Sequence, residues 1–302
     1  MSLLLVLAIT AFLFLATVTL ILLLIGPTLL LRPKRRRADY YRSMGAPAHP
    51  DDLGLPSESL LIGTDDGLTL NAWLIPGAEP VRGTILYLHG VGDCRIDGLR
   101  AAKLFHDHHY TSVLFDSRRH GESGGRFCTY GYYEKIDVMR VIDQVLKRSP
   151  GPRPQVGLFG TSMGAAVALQ AAAIDPRIAA VAAENSFATL RSIFDDYQKR
   201  MIKLPFHYLR NLVIVRSEFL ADFKASDVSP LDAVGRIRIP LLIAYSEHDV
   251  RIRPGYSRQI YAAARGPKTL LPIANAQHNN TWDSGGESYH TAILDFFSRA
   301  LQ

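Results

Sequence analysis

Residues Val156-Gly-Leu-Phe-Gly160-Thr-Ser162-Met-Gly164 decide the fold. Val156 to Phe159 has the character of a buried strand. Gly160-Thr161-Ser162-Met163-Gly164 fits the pattern G-x-S-x-G, and an alanine-rich stretch (Ala165, Ala166, Ala168, Ala171, Ala172, Ala173) follows with helical character. A serine on a sharp strand-to-helix turn is presented at the edge of a sheet. The flanking glycines let backbones pass where a Cβ would collide. The same turn sets the Met163 N–H at a helix N-terminus, where the dipole favours an anion. Ser162 is therefore the candidate nucleophile.

Working outward, short apolar runs recur at Leu60–Ile62, Leu68–Ile75, Thr84–Leu88, Ser112–Phe115, Ile178–Ala183, Leu241–Tyr245 and Thr269–Ile273. Helical patterns separate most of them, at about 96–107, 133–148, 163–174, 256–264 and 288–300. This alternation predicts a mostly parallel sheet with helices on both faces. Asp66-Gly67 predicts a β-hairpin leading into it. In such sheets the chemistry lies at the carboxyl ends of the strands. The interval from Phe187 to Pro230 has no clear strand, only helix-like pattern with Phe194, Tyr197, Phe206, Tyr208, Phe219 and Phe223. It is too long for a plain connector and is expected to form a small cap over the site, at about 187–230.

A serine nucleophile needs a base, and the base needs an orienting carboxylate. The expected chain order is serine, acid, histidine. Ser246-Glu247-His248-Asp249 follows the strand Leu241–Tyr245, and Asp249 is the candidate acid. Glu247 lies too close to the strand end, and Asp232 precedes the strand. His278 follows the next strand on a loop before the last helix and is the candidate base. His89-Gly90-Val91-Gly92 leaves the strand Thr84–Leu88 with two glycines. The Val91 and Met163 N–H groups are the expected oxyanion donors, with His89 organising the loop. His106, His108 and His109 lack a third ligand on a shared face; neither a metal nor an organic cofactor is expected.

Leu3 to Ile25 carries threonines as its only polar side chains. As a helix it reaches about 34 Å, enough to cross a hydrocarbon core of roughly 30 Å. A cleaved signal peptide would need a basic segment before a shorter apolar one, and neither is present. Residues 1–31 are expected to hold a transmembrane anchor and 32–58 a basic juxtamembrane segment and irregular tether. Residues 59–302 are expected to form the catalytic domain. The chain carries a net charge of +6. Arg32, Lys34, Arg35, Arg36 and Arg37 hold most of it, so the remainder has no basic excess with which to bind nucleic acid. That cluster, just after the span, predicts a single-pass protein with its catalytic domain on the cytoplasmic side. Two cysteines, Cys94 and Cys128, exclude a disulfide scaffold.

Over about residues 59–300 the chain resembles the α/β-hydrolase-fold serine hydrolases. It is most similar to their single-pass membrane-anchored branch. The resemblance rests on His89-Gly90, Asp116-Ser-Arg-Arg-His-Gly-Glu-Ser123, Gly160–Gly164, Glu184-Asn-Ser-Phe187, Ser246–Val250 and His278-Asn-Asn-Thr-Trp282. It departs at Ser246, where many relatives have Gly, and at Ser117, where many have Tyr. It implies the Ser162, Asp249, His278 triad, with the Val91 and Met163 amides as oxyanion hole. The expected function is hydrolysis of an ester or thioester of a hydrophobic acyl group at a lipid bilayer. A serine peptidase, an acyltransferase and a non-catalytic membrane scaffold stay open as alternatives. The sequence leaves the oligomeric state open.

Overall fold

A computed structural model describes residues 2–148, 156–201 and 207–301. The chain opens with helix α1 (Leu3–Leu31), the one helix among the described residues long and apolar enough to cross a membrane. A short helix α2 (Ala38–Ser43) follows, and then the hairpin strands β1 (Glu58–Gly63) and β2 (Thr69–Ile75). The alternation then sets in: β3 (Gly83–Leu88), α3 (Leu99–Asp107), β4 (Tyr110–Phe115), α4 (Glu134–Arg148), β5 (Val156–Thr161), α5 (Met163–Ala172) and β6 (Ile178–Glu184). After β6 come α6 (Leu190–Met201), α7 (His207–Ala221) and α8 (Pro230–Val234). The chain ends with β7 (Leu241–Ser246), α9 (Pro254–Ala263), β8 (Lys268–Ile273) and α10 (Thr281–Ala300).

The eight strands form one sheet in the order β1-β2-β4-β3-β5-β6-β7-β8. β1 and β2 pair antiparallel, as do β2 and β4. From β4 to β8 every pairing is parallel. Strands covered on both faces read as continuous apolar runs, which is why β3, β5 and β7 are buried along almost their whole length. One apolar layer holds α4, α5 and α9 side chains such as Val141, Leu169 and Ile260. The opposite layer holds α3 and α10 side chains such as Phe105 and Phe297. This is the expected α/β-hydrolase architecture.

Residues 32–58 depart from the expected irregular tether. Leu31 is buried in the first layer, whereas Tyr41, Ala48 and Leu55 are buried in the second. Between them the chain crosses the loop after β3, and the Arg36 N–H donates to the Gly92 carbonyl at 3.3 Å. Arg35 donates to the Gly125 carbonyl at 3.1 Å. The segment is thus a strap joined to both faces of the sheet, held by contacts with residues far along the chain.

The interval between β6 and β7 is helical, as expected. Of its aromatics, Phe194 and Phe223 are buried in the core, while Tyr208 and Phe219 face outward. Tyr197 reaches the active-site cavity; Phe206 lies outside the described residues. Helix α7 packs along α1.

Candidate active site

The turn between β5 and α5 is tight enough to force its composition. A Cβ on Gly164 would lie 1.9 Å from the Leu88 carbonyl oxygen, and one on Gly160 would lie 2.4 Å from the Gly164 oxygen. Ser162 itself has φ 53° and ψ −114°, a conformation that L-residues seldom adopt. Its N–H is held by the Glu184 carbonyl at 2.8 Å. Strain kept by surrounding contacts is characteristic of functional positions.

Three elements bring side chains to Ser162. His278, on the loop after β8, places Nε2 3.0 Å from Ser162 Oγ. Its Nδ1 lies 2.7 Å from Asp249 Oδ2, on the loop after β7. The other Asp249 oxygen accepts the Arg251 and Ile252 N–H groups at 2.7 and 2.8 Å. These donors fix the carboxylate and leave Oδ2 for the imidazole. Asp249 is buried, whereas Ser162 and His278 line a cavity of about 450 Å³.

The loop after β3 closes on the same point. A Cβ on Gly90 would lie 3.5 Å from Ser162 Cβ, an ordinary van der Waals distance, so this loop packs directly beside the nucleophile. Val91 lines the cavity. Met163 opens α5, so its N–H belongs to the first turn, which has no acceptor within the helix. His89 is fully buried. Its Nδ1 pairs with the Gly90 carbonyl at 2.8 Å, and its Nε2 accepts the Ser117 N–H at 3.0 Å. With one ring nitrogen on each loop, it ties the turn after β3 to the turn after β4. Glu247, too near the strand end to serve as the acid, is tied by its N–H to the Ile273 carbonyl. His106 and His109 bond carbonyls of residues 76 and 78.

Several residues of the site have roles that only the fold reveals. Asn185 accepts the Ser246 N–H at 2.8 Å and donates to the Ser246 and Thr281 hydroxyls at 3.2 and 3.0 Å. This buried cluster joins the ends of β6 and β7 to the start of α10, and so sets the acid and base loops relative to one another. Ser246, the departure from many relatives' Gly, supplies one of its hydroxyls. Asp93 receives Tyr41 O–H and the Arg36 guanidinium at 2.5 Å, which pins the strap to the loop after β3. Asp97 accepts Tyr87 O–H at 2.6 Å. Its side chain is open to solvent on the cavity wall, and the protein groups crowded around it, aided by the Asp93 charge, push its pKa up to about 7. Glu184, also on the cavity wall, is raised by burial. The cavity wall is therefore mixed. Met44, Ile96, Phe159 and Trp282 offer apolar surface, while Asp93, Asp97 and Glu184 offer carboxyl groups.

Residues 79–231, half of the chain, match the family described as serine aminopeptidase, S33. The uncharacterized protein YqkD of Bacillus subtilis is 30% identical over 215 residues, 70% of each chain. The α/β-hydrolase domain-containing protein WAV2 of Arabidopsis thaliana is 26% identical over 265 residues, 85% of this chain and 83% of that one. Among solved structures, the Pyrococcus furiosus esterase Pf2001 superimposes with a TM-score of 0.72 at 23% identity. It covers 90% of this chain, and the match takes in all of that one. The Pyrococcus horikoshii acylaminoacyl peptidase gives 0.64 at 16% identity, over 82% of this chain and 42% of that one.

Proposed function

The chain belongs to the α/β-hydrolase family described as serine aminopeptidase, S33, and from that premise we propose that it is a membrane-anchored serine hydrolase acting through an acyl-enzyme. The observation that carries this reading is the relay from Ser162 Oγ through His278 to Asp249, at 3.0 and 2.7 Å, opening on a cavity. Ser162 attacks a carbonyl carbon while His278 Nε2 takes its proton. Asp249 holds the imidazole with Nδ1 protonated and stabilises the imidazolium. The Val91 and Met163 N–H groups receive the oxyanion; a donor of this kind is worth roughly 3–4 kcal/mol in comparable sites. The imidazolium then protonates the leaving group, and water repeats the cycle on the acyl-enzyme.

The substrate class is an ester or thioester of a hydrophobic acyl group. The apolar helix α1 supports it, since a site held at a bilayer meets lipid-derived substrates first. So does the cavity surface offered by Met44, Ile96, Phe159 and Trp282. The basic run Arg32–Arg37 supports a cytoplasmic site. The carboxyl groups of Asp97 and Glu184 on the cavity wall favour a second reading, an amidase or aminopeptidase whose substrate carries an amine.

A fluorophosphonate probe applied to the membrane fraction tests the chemistry. Labelling is expected with the native chain and absent from Ser162→Ala; equal labelling of both overturns the assignment. Rates on acyl esters, acyl thioesters and aminoacyl amides of one acyl length then separate the two substrate readings.

A further inference from the structure

Helix α7 covers one side of the anchor and leaves its own outer side apolar. On α1, Thr19, Leu22, Leu23, Gly26, Pro27 and Leu30 are less exposed than their neighbours and recur at three- and four-residue spacing, so they share a face. Helix α7 packs along α1, with Val213 against Gly26. A Cβ on Gly26 would lie 2.8 Å from Val213, so glycine sets the close approach. On the opposite side of α7, Tyr208, Val215 and Phe219 are 67%, 60% and 76% exposed at i, i+7 and i+11, one stripe of the helix. Arg216 lies beside them with its guanidinium 5.3 Å from the Phe219 ring centroid, and such a stem can run along apolar surface to a headgroup. Arg210, on the same helix, is already paired with Asp195.

The placement of the anchor decides what this stripe meets. Any stretch of about 20 residues taken from Leu3–Leu31 to cross the hydrocarbon includes Thr19 and Leu22. Those residues belong to the face on which α7 lies. A helix packed there stands beside lipid, and its outer stripe continues the exposed apolar sleeve of Leu20, Leu24 and Leu29.

We propose that α7 is a second membrane-contacting helix, whose Tyr208, Val215 and Phe219 stripe is buried among the acyl chains of the leaflet next to the catalytic domain. The proposal rests on the membrane anchoring proposed above. It fixes the orientation of the whole domain, because α6, immediately before α7 in the chain, supplies Tyr197 to the cavity wall. The cavity is thereby held against the bilayer surface instead of swinging on a linker.

The test uses the full chain in nanodiscs containing a lipid with a doxyl group high on its acyl chain. Both native cysteines are buried, and burial pushes their thiols up, to about 12 for Cys94, so an introduced cysteine takes an environment-sensitive fluorophore. Val215→Cys is compared with Leu13→Cys on the anchor and Leu61→Cys on the outermost strand. The expected result is doxyl quenching at position 215 within about twofold of that at 13, iodide shielding at both, and neither at 61. Water-like behaviour at 215 alone overturns the proposal while the anchor stands. Water-like behaviour at 13 as well overturns both. Disulfide cross-linking of the Val215→Cys chain into a dimer, with no lipid quenching, assigns the stripe to a second copy and also overturns it.

Discussion

Asp97 is a carboxyl group in a place where its charge matters. Below pH 7 it is mostly neutral and hydrogen-bonded with Tyr87; above pH 7 it presents a charge to the cavity that an acyl chain must enter. A neutral ester with a long acyl group is therefore expected to show a KM that rises as pH passes upward through 7. The Asp97→Asn variant is expected to flatten that rise and leave kcat largely unchanged. A KM that falls with rising pH for an amine-bearing substrate, and is flattened in the same variant, would instead favour the aminopeptidase reading. Ser162, Asp249 and His278 can be named from the sequence because each follows a strand end and the chemistry needs that order. Asp97, Tyr41, Arg36 and Asp93 cannot. Arg36 and Asp93 are 57 positions apart and meet only once the strap has crossed the sheet, and neither residue belongs to a motif. Asn185 is visible as part of a resembling run, yet its cross-brace to Ser246 and Thr281 depends on two strand ends and the start of α10 converging.

At the scale of elements, the strands are legible because the sheet is buried on both faces. Continuous apolar runs separated by amphipathic stretches leave few alternatives. Helix α10 begins earlier than its pattern suggests, at Thr281 instead of about 288, because a kink at Gly286 (φ 55°) breaks the periodicity. Helix α2 leaves no trace in the pattern because six residues, Ala38–Ser43, are too few for a periodic signal. The β5–α5 turn is the element in which sequence and packing constrain one another most tightly. In Gly164→Ala, the new methyl would meet a backbone carbonyl of β3, which cannot rotate away. The expected loss of stability reaches or exceeds the top of the usual overpacking range, about 3 kcal/mol. It is read as a fall in Tm, with fluorophosphonate labelling lost in step. A variant with unchanged Tm would mean that β3 and α5 are farther apart than described.

For the whole molecule, composition and charge separate an apolar N-terminus, a basic flank and a mixed globular part. They do not reveal that the three are packed into one body, since contacts between distant segments leave no local trace. The strap places Leu31 in one core layer and Tyr41, Ala48 and Leu55 in the other. Tyr130 O–H donates to the Leu30 carbonyl at 2.6 Å, and the Cys128 N–H donates to the Leu31 carbonyl at 2.9 Å. A chain beginning at residue 59 loses all of these, leaves the Asp93 carboxylate without its Arg36 and Tyr41 partners, and exposes the apolar surface that Tyr41, Ala48 and Leu55 cover. A chain beginning at residue 32 keeps Tyr41, Ala48, Leu55 and the Arg36 and Tyr41 bonds to Asp93, and loses Leu31, the two bonds to the Leu30 and Leu31 carbonyls, and the cover that α1 gives to α7. The shorter chain is therefore expected to have a markedly lower Tm and a lower kcat on a small soluble ester, because the loop bearing Gly90 and Val91 loses its brace. The longer one is expected to keep kcat in detergent and to aggregate without it, since Val213 on α7 then loses its cover by α1. Thermal unfolding and steady-state rates of the two chains in one detergent decide the matter. Equal Tm and equal kcat would reduce residues 32–58 to the tether that their composition suggests.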